Sequence, residues 1–204
     1  MAAKRSVMLL PLIASAALPV LHWLLGPAHH DIILIRDWRQ FEQPWRWLTA
    51  HFAHADLEHL FWNTIAATAL ALLFIRHRIE SGVALTLFCV IGVNAGIAFD
   101  HSLYRYCGFS GVLNGWAVIV LYQMWTQRTQ RAMVLVVATL FAAKLSIEWI
   151  HHSALFTDSQ WQTVPLAHIG GAVGGAFGSV LGRAYRYRKT APVNSHSLKL
   201  IEVS

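Results

Sequence analysis

The chain has 204 residues, 56% of them hydrophobic and only 13% charged, with a formal net charge of +6. A soluble domain carries about 25% charged residues, so this composition excludes a disordered chain and argues against a soluble globule. It offers no solvated basic face to a nucleic acid, and its two cysteines, Cys89 and Cys107, have neither metal-ligand nor disulfide spacing.

Six apolar stretches approach the roughly 20 residues that cross a bilayer, at about 7–25, 58–76, 81–99, 109–125, 132–148 and 165–184. They predict an all-α polytopic membrane protein: one six-helix domain over residues 1–190 and a short polar tail over 191–204. The first stretch follows Lys4 and Arg5 as a signal peptide would, but it ends in His22, Trp23, Leu24 and Leu25 with no small-residue cleavage site. It is read as a retained helix. Residues 26–57 form a connection longer than a compact fold carries without a purpose, with Trp38, Trp45 and Trp47 suited to the headgroup zone. Function is expected on that face.

Basic residues fix the orientation, because Lys and Arg flanks stay cytoplasmic. Lys4, Arg5, Arg76, Arg78, Arg128, Arg131, Arg183, Arg186, Arg188 and Lys189 all fall on one side of a six-span arrangement. The other side holds Arg36, Arg39, Arg46 and Arg105 against Asp31, Asp37, Asp56, Asp100, Asp158, Glu42 and Glu58. Both termini are therefore predicted to be cytoplasmic.

Polar side chains inside apolar helices need a partner or a task. The second helix opens with His59 and Asn63, one turn apart, with His54 just before it; the fourth opens GFSGVLNG (108–115), carrying Ser110 and Asn114; the sixth opens PLAHIGG (165–171), carrying His168. These three helices run in the same direction, so the four groups Ser110, His168, His59 and Asn63 share one depth near the outer surface. Gly170, Gly174, Gly178 and Gly182 in the sixth helix, with Gly171 and Gly175 beside them, face a fourth helix containing Gly111 and Gly115. Small-xxx-small stripes of this kind let two helices approach closely. A Ser110–His168 dyad is the inference, Ser110 the nucleophile and His168 the base, which requires about 2.6–3.2 Å between heavy atoms. The backbone N–H of Ser110, the Asn63 carboxamide and the His59 imidazole are the candidate oxyanion donors. Cys107 has no depth-matched histidine of its own. Lys144 and Glu148, one turn apart near His151 and His152, are read first as a mutually neutralising pair, with a proton relay or a substrate-facing cluster as the alternatives.

At these residues the sequence resembles the rhomboid family of intramembrane serine proteases. The resemblance rests on WRWLT (45–49), HADLEHLFWN (54–63), GFSG (108–111) and AHIGGAVGG (167–175) in family order. It implies a rhomboid-like bundle, Ser110 as nucleophile, His168 as general base, and His59, Asn63 and the Ser110 amide as the oxyanion site. By the same resemblance His54, Gly108, Gly111 and Asn114 support the site, and Trp45 and Arg46 correspond to the pair that anchors the first loop. The small six-helix form, with GFSG followed by Val-Leu-x-Gly, is most similar to the bacterial rhombosortases, linked to proteins ending in a GlyGly motif, one helix and a basic tail. Asn114 stands where rhombosortases often have His and other rhomboids Tyr, and a Gly-x-x-x-Glu-x-x-x-Gly pattern is reduced to Glu80 and Gly82.

The resemblance implies a bacterial inner-membrane protein whose site opens to the periplasmic or outer face. Its expected partners are the lipid bilayer and single-span membrane substrates, with no nucleic acid and no cofactor or metal; the oligomeric state is left open. Two rival functions belong to other classes: a catalytically silent membrane-protein binding factor or chaperone, and a metal or haem protein using some of the twelve histidines, His59 and His168 among them.

Overall fold

The computed structural model describes residues 2–36, 42–128, 130–153, 155, 161 and 163–190, with side chains from 11 to 188. Asp37, Trp38, Arg39, Asp158, the tail 191–204 and the side chains of Lys4, Arg5 and Lys189 lie outside the described residues.

Among the described residues, six long helices account for most of the structure. The first, α1 (Ala2–Leu25), contains Pro11 and Pro19 and ends at Gly26, whose φ of +81° suits the left-handed position after a helix terminus. A four-residue helix α2 (Arg46–Thr49) continues into a 3₁₀ turn at Ala50–Phe52. Asp56 starts α3 (Leu57–Arg76) by accepting the His59 N–H at 2.7 Å, an N-cap that fixes where His59 and Asn63 fall on the helix. At its other end the Ile79 N–H reaches back to the Phe74 carbonyl at 2.9 Å around Arg78, a Schellman-type stop with Arg78 at φ +52°. Next come α4 (Gly82–Phe99), α5 (Ser110–Thr126), α6 (Arg131–His151) and α7 (Pro165–Thr190), the last starting on proline, whose missing N–H costs nothing there.

The expected long connection is ordered by backbone pairing that the sequence did not announce. Strands β1 (Leu34–Ile35) and β2 (Arg105–Tyr106) pair antiparallel, Leu34 opposite Tyr106 and Ile35 opposite Arg105. Arg36 donates to the carbonyls of Ile97, Ala98 and Asp100, so this cation caps the C-terminal end of α4, where unpaired carbonyls concentrate negative charge.

Helix α5 lies at the centre, its residues 111–116 all buried, and Trp116 donates to Thr86 of α4 at 2.9 Å. Helix α6 is peripheral: its buried residues are Val134 and Glu148. Helix α7 is seated on both α4 and α5, and its glycines divide between them. A Cβ on Gly170 or Gly174 would lie 2.2 Å from the backbone oxygen of Gly92 or Phe88 in α4, whereas one on Gly171 or Gly175 would lie 1.9 or 2.4 Å from that of Gly111 or Gly115 in α5. The four-residue stripe therefore faces mainly α4, and the closeness to α5 rests on Gly171 and Gly175. The partners on α4, Gly92 and Gly96, were not foreseen.

Among the described residues, three helices are long and apolar enough to cross a membrane: Leu57–Arg76, Gly82–Phe99 and Arg131–His151. The other three of the six expected spans are not among these. Helix α5 has 17 residues, about 26 Å at 1.5 Å per residue, and Pro11–Leu25 is a shorter apolar helix. In α7, Arg183, Arg186 and Arg188 follow the glycine-rich part.

Candidate active site

The N-terminal ends of α3, α5 and α7 meet at one level. Ser110 is the first residue of α5, and its Oγ lies 2.8 Å from Nε2 of His168, in the first turn of α7. The spacing fits proton transfer from the hydroxyl to the imidazole. His168 is buried, and its other ring nitrogen, Nδ1, lies 2.8 Å from Oε2 of Glu148 on α6. Both ring nitrogens are thus engaged by protein partners. Among the described residues the group with metal-ligand spacing is His29, His30 and Asp31, on the outer connection.

The Lys144–Glu148 pair expected from the sequence is present, Nζ to Oε2 at 2.7 Å, but it does not stand alone. Lys144 also donates to Oδ1 of Asn114 at 3.1 Å, and Asn114 Nδ2 donates to the Ser110 carbonyl at 2.7 Å. The spacing of the sequence shows the Lys144–Glu148 pair but not the second partner of Glu148, His168 on α7, twenty positions along the chain.

Across from this group stand His59 and Asn63. Asn63 is buried, and neither its Nδ2 nor Nδ1 of His59 has a hydrogen-bond partner among the described residues. Gly108, at φ +122°, makes room for them, since a Cβ there would sit 2.6 Å from the His59 ring. Gly111 lets α5 reach α7 in the same way, 3.1 Å from the Ala167 oxygen. Ser110 opens its helix, and the first N–H groups of a helix have no intrahelical acceptor. His59, Asn63, Ser110, Asn114, Lys144, Glu148 and His168 border a cavity of about 470 Å³ between α3, α5, α6 and α7, whose wall also includes apolar side chains such as Trp62, Leu113 and Phe141. At the cavity wall the Arg105 guanidinium lies 3.9 Å above the Trp161 ring.

The supporting residues lie behind the site. His54 is fully buried with its ring 5.2 Å from that of His59, and burial, then its histidine neighbours, push its pKa down to about 3. Buried His51, held at about 4 by desolvation, contacts Asn94 of α4 at 3.2 Å, and Asn94 donates to the Trp47 carbonyl at 3.0 Å. Arg46 is buried beneath the outer connection and donates to the carbonyls of His30 and Ile33, while exposed Trp45 donates to that of Asp31. Burial pushes the Cys107 thiol up to about 12, which disfavours the thiolate a nucleophile needs.

Residues 41–185 match the Rhomboid domain family. The chain belongs to the rhomboid family. Its members are in general intramembrane serine proteases, although inactive rhomboid-like members exist, and this rhomboid is accordingly a multi-pass membrane protein. No curated protein matches the chain. The matched range of the rhomboid domain contains every residue placed around the cavity above.

Proposed function

We propose that this rhomboid is an intramembrane serine endopeptidase acting on transmembrane segments of membrane-anchored substrates. Ser110 Oγ attacks a peptide carbonyl while His168 Nε2 takes its proton. Asn63, His59 and the Ser110 N–H donate to the oxyanion that forms. The proton then passes from His168 to the departing amine, leaving an acyl group on Ser110. Water entering from the outer face repeats the sequence, with His168 again as base, and releases the acid product. The observation that carries this reading is the 2.8 Å Ser110–His168 contact inside a cavity whose opposite wall holds an unpartnered buried amide. The substrate peptide must be locally unwound there, because a continuous helix uses its own carbonyls.

The finer reading is of a rhombosortase-like enzyme of a bacterial inner membrane, with both termini cytoplasmic, six spans and GlyGly-type sorting tails as substrates. It draws on the same motifs and on the ten basic residues that gather on one side of the helices. A fluorophosphonate probe is expected to label the purified chain at Ser110, and Ser110→Ala to abolish both labelling and cleavage of single-span substrates. Labelling that survives in Ser110→Ala sinks the assignment. Absence of turnover with substrate helices still co-purifying would favour the silent binding factor instead.

A further inference from the structure

The hydrogen bonds around His168 continue beyond the pair that cuts. For Nε2 to accept the Ser110 proton it must be the bare nitrogen of the ring, so Nδ1 must carry the hydrogen. A neutral imidazole left to itself takes either form. In this fold Nδ1 points at Oε2 of Glu148, 2.8 Å away, and an ionised carboxylate only accepts, so the bond selects the one form useful to Ser110.

Placement on α6 argues that Glu148 is there for this purpose. That helix buries only Val134 and Glu148 among its described residues and leaves Leu135, Val136, Leu140 and Ile150 exposed. A carboxylate turned inward from such a helix is costly unless paired. Lys144 pairs with it at 2.7 Å, and the charges of the two cancel. The ammonium has donors only, so the Asn114 atom it meets at 3.1 Å is the carbonyl oxygen; that leaves the Asn114 amide hydrogens for the Ser110 carbonyl, 2.7 Å away. The chain of contacts thus leaves Ser110 through its hydroxyl, passes His168, Glu148, Lys144 and Asn114, and returns to Ser110 through its own backbone.

We infer that Glu148 is the third member of a Ser110–His168–Glu148 triad, a positioning residue that holds the His168 ring and tautomer, with Lys144 as its counter-ion and Asn114 closing the ring of bonds. This rests on the protease reading above and extends it from two residues to three. When His168 takes the serine proton, the imidazolium forms against a carboxylate already in place. Lys144 keeps that carboxylate from being a lone charge in the resting protein.

The test uses the full chain purified in detergent, a fluorophosphonate probe and nitrogen-15 histidine labelling. The parent should show a far-downfield imidazole N–H proton that disappears in both His168→Ala and Glu148→Gln. Glu148→Gln should lower the maximal inactivation rate by about 100- to 10,000-fold, the range for loss of acid–base function, without changing the probe's half-saturation concentration. Glu148→Asp should restore part of the rate. Failure of the parent to react at Ser110 overturns the protease reading itself. A normally reactive parent combined with an undiminished Glu148→Gln variant, or no downfield proton on His168, overturns the role of Glu148 alone. If Glu148→Gln does not fold, the parent resonance and Glu148→Asp decide.

Discussion

On the α5–α6–α7 side of the cavity, Ser110 Oγ, both nitrogens of His168, the Glu148 carboxylate, the Lys144 ammonium and the Asn114 amide all have partners between 2.7 and 3.1 Å. On the α3 side, at the same level, Asn63 Nδ2 and His59 Nδ1 are buried with none among the described residues. A buried polar group left unsatisfied costs about 1–3 kcal/mol. The partnered side is complete in the resting protein and holds His168, the proposed base, in one orientation. The α3 side keeps buried donors without partners among the described residues, which is what the proposed oxyanion role requires: donors fixed in advance toward a charge that exists only during reaction.

Substituting one asparagine from each side tests the contrast most strongly. Asn63→Ala should lower the maximal cleavage rate by about 100- to 1,000-fold, the usual loss of one oxyanion donor, with thermal stability unchanged or raised. Asn114→Ala should do the reverse in kind, lowering the unfolding midpoint because the Ser110 carbonyl and Lys144 each lose a partner, at about 1–3 kcal/mol. If Asn63→Ala proved the more unstable of the two, the distinction between the sides would collapse.

The next effect concerns the seat of α7. Gly171→Ala places a carbon 1.9 Å from the Gly111 oxygen, so α7 must move off α5 and carry His168 away from Ser110. Overpacking of this kind costs about 1–3 kcal/mol, read as a lower unfolding midpoint, and fluorophosphonate labelling should fall with it. Gly182→Ala, 3.6 Å from the nearest atom, an Arg186 guanidinium nitrogen, should change neither measurement. The smallest effect at ordinary pH lies behind the site. His51 and His54 are neutral when folded, with pKa values lowered to about 4 and about 3 from 6.5, so the unfolded chain binds more protons in acid. Their contribution is complete above pH 6.5 and declines as pH falls toward 4 and then 3. Thermal unfolding in detergent should therefore weaken with acidification, and His51→Gln should flatten its share of that slope.

The long helices were legible because apolar runs bounded by charge or turn residues mark them directly; the expected 58–76 is observed as Leu57–Arg76 and the expected 81–99 as Gly82–Phe99. Ser110 and His168 were legible because a polar group at the start of an apolar helix is conspicuous. Glu148 was hidden by its own neighbour: an i, i+4 lysine is a sufficient local account, and helical spacing carries no trace of a second partner on α7. Two misses had signals that could have been followed. Gly92-Val-Asn-Ala-Gly96 is itself a small-xxx-small stripe, and its central Asn94, polar within an apolar helix, holds the Trp47 carbonyl. The β1–β2 pairing had none, since two residues cannot display an alternating pattern.

The seat of α7 has a consequence for biosynthesis. Among the long helices, the one that brings His168 is the last to leave the ribosome, and its place is formed by α4 and α5, made well before it. Until it inserts, Ser110 lacks His168, its proposed base, and the backbones at Gly92 and Gly111 lack the helix that packs on them. On the proposed protease reading, a half-made chain is therefore chemically silent toward other polypeptides crossing the same translocon, and hydrolytic competence would arrive only once α7 is in place.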